Sequence, residues 1–230
     1  MSQQDQFKEA AAEASAALLK DGMIVGLGSG STAARAVAAI GRRVAHGLKI
    51  IGIPTSELTA NQARSLNIPL STLEERPAID VTIDGADEVE IGTLHLIKGG
   101  GGNLLREKIV AVASARMVVV ADESKVVTQL GSRFVIPVEV IPFGWRTTEA
   151  RLQKAGARPT LRLRPDGQTF ISDGGHYILD CAYGPIPDAS ALQQELDGIV
   201  GVVEHGLFIG IASEALVAGP NGVRTLHRMA

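Results

Sequence analysis

The residues best suited to chemistry lie in one stretch, Lys98-Gly99-Gly100-Gly101-Gly102-Asn103-Leu104-Leu105-Arg106-Glu107-Lys108. An apolar run, Leu94 to Ile97, leads into the lysine, and a helix-forming segment carrying Glu107 follows the four glycines. Consecutive glycines let a backbone take left-handed angles and approach a ligand closely. Their N–H groups, ahead of a helix start, favour anions. A lysine on one side and a carboxylate on the other point to proton chemistry on an anionic small molecule. The plain alternative is a flexible turn between strand and helix, and four successive glycines between Lys98 and Glu107 weigh against it.

Three further segments carry unusual residues at the ends of apolar runs. Gly26-Leu27-Gly28-Ser29-Gly30-Ser31-Thr32 resembles a dinucleotide fingerprint, but its third glycine comes too early. The next strand ends at Pro54-Thr55-Ser56, with no ribose-binding acid at its tip, which argues against NAD. Hydroxyls and backbone N–H groups at a helix start suit a single phosphate better, and they also cap the helix. In Asp84-Gly85-Ala86-Asp87-Glu88, three carboxylates follow a buried strand and repel one another. They are able to bind Mg²⁺, polarise sugar hydroxyls or face water. Ala121-Asp122-Glu123-Ser124-Lys125 ends with a lysine placed to reach an anion or to lie on the surface.

The elements that must position these residues follow from the apolar periodicity. Helices are expected over 6–20, 32–45, 57–66 and 103–115. Short buried strands are expected over 23–27, 49–53, 80–84, 94–98 and 117–121. This alternation predicts a Rossmann-like parallel α/β sheet, whose ligands sit beyond the carboxyl ends of the strands. After about Ser132 the pattern changes to strands over 133–141, 158–164, 169–172 and 177–183, with helices over 147–155 and 189–196. Leu161 and Leu163 alternate with arginines as in a half-exposed antiparallel strand. Strands are expected over 200–204 and 207–211, with one more over 222–226. The reading is an α/β fold with a smaller inserted α+β domain containing an antiparallel sheet. Residues 1–131 with 209–230 form the first domain, and 132–208 the second.

Hydrophobic residues make up 45% of the 230 and aromatics 3%, so the core must be Val, Ile, Leu and Ala. A net charge of −3 and few aromatics exclude an electrostatic or stacking nucleic-acid binder. The single cysteine, Cys181, allows no internal disulfide and reads as a packed strand residue. His46, His95, His176, His205 and His227 lack metal-ligand spacing, so no metal site is expected from them. No run has the length of a membrane helix, and Asp5, Glu9 and Glu13 interrupt the N-terminal alanines. A cytoplasmic location is expected.

In series, these motifs resemble the A-type ribose-5-phosphate isomerase family. The resemblance rests on Gly28-Ser29-Gly30-Ser31-Thr32, Asp84-Gly85-Ala86-Asp87-Glu88, Lys98-Gly99-Gly100-Gly101 with Arg106-Glu107-Lys108, and Ala121-Asp122-Glu123-Ser124-Lys125. It continues through Pro137-Val138-Glu139-Val140-Ile141-Pro142 and Gly201-Val202-Val203-Glu204-His205-Gly206-Leu207-Phe208, so it covers essentially the whole chain. It implies a metal-independent and cofactor-free interconversion of ribose 5-phosphate and ribulose 5-phosphate, in the non-oxidative pentose phosphate pathway. By the same resemblance, Glu107 is the general base, with Asp84, Asp87 and Lys98 in the catalytic group. Ser29, Gly30, Ser31, Thr32, Gly85, Ala86, Gly99, Gly100, Gly101 and Lys125 hold substrate, and Lys8 approaches the phosphate. A homodimer or homotetramer is implied too.

Three residues depart from the family pattern. Ser29 stands where Thr is usual, Asn103 where a small apolar residue is usual, and His176 where Asn is usual. Competing readings are a sugar-phosphate sensor and another sugar-phosphate enzyme, such as a deaminase, lactonase or acyl-CoA transferase. A sensor needs no Glu107 opposite Lys98. A deaminase calls for a histidine base, and none of the four motifs holds one.

Overall fold

The computed structural model describes residues 2–229. In chain order its elements are α1 (Gln3–Ala17), β1 (Ile24–Leu27), α2 (Ser31–Ala45), β2 (Ile51–Pro54), α3 (Glu57–Ser65), β3 (Val81–Gly85), β4 (Glu88–Glu90) and β5 (Leu96–Ile97). There follow α4 (Leu104–Val112), β6 (Met117–Asp122), a 3₁₀ turn (Glu123–Lys125), β7 (Val126–Val127), β8 (Ile136–Val140), α5 (Trp145–Lys154), β9 (Arg158–Leu161) and β10 (Tyr177–Ala182). The chain ends with α6 (Ala189–Asp197), β11 (Val202–His205), β12 (Leu207–Phe208), β13 (Glu214–Gly219) and β14 (Gly222–His227).

The large sheet has the order β14-β13-β6-β3-β1-β2. All its pairings are parallel except the edge pair β13–β14. Strand β6 is buried along its whole length, as a strand covered on both faces must be. The helices α1 and α2 close over one face through small residues, Ala11, Ala12 and Ala16 against Ala36 and Ala39. Burying one Val or Ile there contributes about 1.5–3 kcal/mol. A second sheet, β11-β8-β10-β9, is fully antiparallel and packs α5 and α6 through Leu152 and Leu196. No helix among the described residues is long and apolar enough to cross a membrane.

The structure corrects the expected strands in several places; the strand expected over 169–172 does not form, leaving one isolated bridge between Leu163 and Thr169 across the turn at 165–168. Residues 94–98 do not join the parallel sheet. Leu96 and Ile97 instead form a small third sheet, β12-β5-β4-β7, in which β5 is antiparallel to β4 and β12. A turn with Leu94 at φ 55° reverses the chain between β4 and β5. Of the expected strand 207–211, only Leu207–Phe208 pairs, and it does so in that third sheet. Strand β13 was not expected at all, because Ala215 and Ala218 dilute its β signal; it lies beside β6, inside the large sheet.

Candidate active site

The motifs converge on one cleft at the carboxyl ends of β1, β3 and β6. It is lined by Ser29, Gly30, Ser31, Thr32, Gly85, Ala86, Asp87, Lys98, Gly99, Gly100, Gly101, Glu107 and Lys125. The main sheet supplies three of these segments, and the small third sheet brings Lys98 in from the side.

At its inner end Lys98 is buried, held by its backbone N–H to the Gly206 carbonyl. Its Nζ lies 2.9 Å from Asp84 Oδ2, 3.2 Å from Glu107 Oε2 and 2.8 Å from the Gly85 carbonyl, to which it donates. Asp84 Oδ1 accepts from the N–H groups of Ser29 (3.0 Å) and Gly85 (2.7 Å). Gly28 makes this approach possible, since a Cβ there would sit 2.1 Å from Asp84 Oδ1. Asp84 Oδ2 and Glu107 Oε2 are buried and meet the ammonium as ion pairs, with no hydrogen bond of good geometry. They keep acceptor capacity for a hydroxyl or a proton.

This crowding tunes every charge. Burial pushes the Glu107 carboxyl up to about 8; Lys98 opposes the shift, while Asp84 and Asp87 add to it. Burial likewise raises Asp84, against the pull of Lys98. Burial alone would lower Lys98, but the carboxylates of Asp84 and Glu107 hold its ammonium above the usual lysine range. The result is a carboxyl able to take a proton near neutral pH, with a permanent cation beside it.

The outer end is more open. Helix α2 begins at Gly30 with no side-chain cap, so its first N–H groups are unsatisfied by the helix. Ser31 is exposed there, and its hydroxyl accepts from Lys8 Nζ at 3.2 Å. Arg35 and Arg42 on α2 pair with Asp5 and Glu9 on α1, which sets Lys8 beside the helix start. Lys125 reaches the cleft from the 3₁₀ turn, which Asp122 caps by accepting from the Ser124 N–H at 3.0 Å. An uncapped helix start with two lysines nearby is a ready anion site.

Two residues of these motifs serve structure instead. The Ser29 hydroxyl turns into a buried cluster with Thr55 (2.7 Å), Ser56 (2.8 Å) and Thr59 (3.1 Å). Ser29 lines the cleft, but its hydroxyl is engaged by these three partners and its N–H by Asp84. Glu88 is buried and accepts from the N–H groups of Gly131 (2.6 Å), Arg133 (2.6 Å) and Phe134 (2.8 Å), which pins the chain entering β8. Asp87, half-buried, accepts from the Gly100 N–H at 2.8 Å. The three carboxylates therefore point to three different tasks and do not converge on one ion. The sequence reading missed Arg162, which holds the Gly99 and Gly100 carbonyls from just past β9, and Lys108, which ties α4 to Glu204 and the His205 carbonyl. Lys108 sits in a quoted motif, but its partners lie almost a hundred residues away.

The model of the ribose 5-phosphate isomerase A (phosphoriboisomerase A) family matches residues 51–222. The chain is 55% identical over 229 residues to ribose-5-phosphate isomerase A of Synechococcus sp. (strain JA-3-3Ab), covering 99% of this chain and 100% of that one. Ribose 5-phosphate isomerase A of Methanocaldococcus jannaschii superposes with a TM-score of 0.94 at 42% identity, over 98% of this chain and 100% of that one. A D-ribose-5-phosphate isomerase solved in complex with phospho-erythronic acid superposes with a TM-score of 0.95 at 35% identity, over 99% and 100%. By sequence, by fold and by the cleft its motifs build, this chain belongs to the ribose 5-phosphate isomerase A family.

Proposed function

We propose that this enzyme interconverts D-ribose 5-phosphate and D-ribulose 5-phosphate by proton transfer through an enediolate, with Glu107 as the general base. The observation that carries this reading is the buried trio of Glu107, Lys98 and Asp84, with acceptor capacity left on both carboxyls. Family membership and the phospho-erythronic acid bound by a relative support a phosphorylated sugar acid or sugar as the ligand.

The C2 proton of an aldose is weakly acidic, so its base must be poorly solvated and well placed. Glu107 takes that proton and returns it to C1. As it does so, negative charge develops on the oxygens at C1 and C2. Lys98 and the glycine-loop N–H groups face that charge, and one such donor is worth about 3 kcal/mol. Asp84 and Asp87 handle the protons on oxygen, both in opening the furanose ring and in passing a proton from O2 to O1. The phosphate sits at the α2 start with Ser31, Thr32, Lys8 and Lys125, and fixes the register of the sugar. Gly30, Gly85, Ala86, Gly99, Gly100 and Gly101 complete the walls.

No metal or cofactor enters this scheme, because Lys98 already supplies the positive charge beside the reacting oxygens. A cytoplasmic homodimer or homotetramer belongs to the same reading; Leu58 and Val112, exposed on α3 and α4, support the association. Light scattering of the purified protein measures it.

The test is proton NMR of ribose 5-phosphate in D₂O with EDTA-treated protein. The expected result is ribulose 5-phosphate carrying deuterium at C1, with deuterium also entering C2 of the ribose 5-phosphate re-formed by the reverse reaction. Binding without turnover favours a sensor, and activity that returns only with Mg²⁺ restores a metal role for Asp84 and Asp87.

A further inference from the structure

The glycine loop is gripped from behind by a residue of the antiparallel sheet. Arg162, just past β9, sends its Nη1 to the carbonyls of Gly99 (3.0 Å) and Gly100 (3.1 Å). Its Nε donates to Asp180 Oδ2 at 2.9 Å, and its Nη2 pairs with Asp180 Oδ1, a two-pronged contact that fixes the plane of the guanidinium. Asp180 sits on β10, and the Arg162 N–H joins the same strand at the Ile178 carbonyl (2.9 Å). The Phe170 ring lies 5.8 Å from the guanidinium and wedges against Gly102, where a Cβ would come 2.4 Å from the ring. The Arg162 side chain is 13% exposed, so this is a packed contact and not a surface pair.

The consequence follows from peptide geometry. In a trans peptide the N–H points opposite the C=O of the same unit. With the Gly99 and Gly100 carbonyls both turned to Arg162, the N–H groups of Gly100 and Gly101 both turn the other way. Gly100 N–H meets Asp87 there, on the cleft side. The Gly101 N–H has no acceptor among the described residues, and Gly101 lines the cleft. Asp180 neutralises Arg162, so the pair brings geometry rather than net charge. A run of four glycines has no side chains of its own to hold this arrangement.

We propose that Arg162 is a positioning residue for the isomerisation, orienting the Gly101 N–H toward the oxygens that become charged in the enediolate and holding the Gly100 N–H on Asp87 beside them. This rests on the isomerase reading above. Arg162 touches neither the substrate nor the phosphate site. Its loss is therefore felt in the transition state and not in phosphate binding.

The experiment combines steady-state kinetics with calorimetry on wild type, Arg162→Ala and Arg162→Lys. The two calorimetric probes are inorganic phosphate and phospho-erythronic acid, whose carboxylate stands in for the reacting end. Arg162→Ala is expected to lower kcat about tenfold to a hundredfold, as loss of about 1 Å of alignment does. It should weaken phospho-erythronic acid by at least about tenfold, while KM and phosphate affinity stay within about twofold. Arg162→Lys should recover part of the loss, since its ammonium reaches one carbonyl but cannot hold two and Asp180 together. An unchanged kcat, or equal weakening of both probes, overturns the proposal. If Arg162→Ala does not fold, Arg162→Lys and Asp180→Asn carry the same split between the two probes. Absence of turnover by the wild type removes the isomerase reading and this role with it, whereas wild-type turnover with an unaffected Arg162→Ala removes this role alone.

Discussion

At the inner end of the cleft, the side chains of Asp84, Lys98 and Glu107 are 0%, 3% and 4% exposed, and their charges act on one another with little water between. At the outer end Gly30 and Ser31 are exposed, and Lys8 and Lys125 are half-buried on long side chains. The inner end therefore shifts its acid–base equilibria and resists change of any single member. The outer end offers N–H groups and lysines suited to binding an anion. On the proposed reading, one cleft separates the group that reacts from the group that anchors, and the two should respond to mutation differently.

Glu107→Gln is the most severe way to probe the inner end. Loss of the base should lower kcat by about 10²–10⁴-fold with little change in KM; a kcat near wild type in a stopped assay removes Glu107 as base. Lys98→Met should follow. It leaves Asp84 and Glu107 buried without their cation, raises both carboxyls further, and takes away an oxyanion partner. A loss of about 10²–10³-fold in kcat and about 3–5 kcal/mol in urea-unfolding stability is expected, and an unaltered urea midpoint would sink the buried-pair assignment. At the outer end, Ser31→Ala or Lys125→Ala should raise KM about tenfold and leave kcat within about twofold. A fall in kcat alone would mean that the two ends are not separate.

The smallest expected effect is on stability. The Glu107 carboxyl is raised in the folded state, so its neutral form is the favoured one. Its contribution is fully present below the unfolded value near 4.5 and is lost as pH rises through about 8. Glu107→Gln keeps the neutral form at every pH. Its melting temperature should therefore exceed that of wild type above pH 8, by about 2–4 °C per kcal/mol, and the gap should close toward pH 5. A constant gap across that range would contradict the burial argument.

How legible these two ends were in the sequence follows from how local they are. The outer end is written in one short run, Gly28 to Thr32, where glycines and hydroxyls lead straight into a helix. The inner end needs Asp84, Lys98 and Glu107 from three elements; the residues themselves paired Lys98 with Glu107 at a strand end, and the motif resemblance put Asp84 in the same catalytic group. The α/β alternation exposed the large sheet because its strands are continuous apolar runs, β6 above all. The third sheet stayed hidden because β5 and β12 are two residues each, too short for any period to show. The Ser29 hydroxyl reads as a ligand in sequence, but its partners Thr55, Ser56 and Thr59 belong to the next strand and helix. Glu88 looked like a third acid of a metal cluster, and three backbone N–H groups over forty residues away absorb it. Arg162 was visible only as half of an alternating pattern, since its role depends on a contact sixty-three residues distant.

The central claim is that burial makes Glu107 a base matched to neutral pH. It is tested most directly by the pH dependence of kcat/KM for ribose 5-phosphate, which reports the free enzyme's essential groups. The account predicts an acid limb that bends near pH 8, well above the second ionisation of a phosphate ester at about 6. A profile flat from pH 8 down to about 5, where an ordinary glutamate would still be ionised, would contradict it.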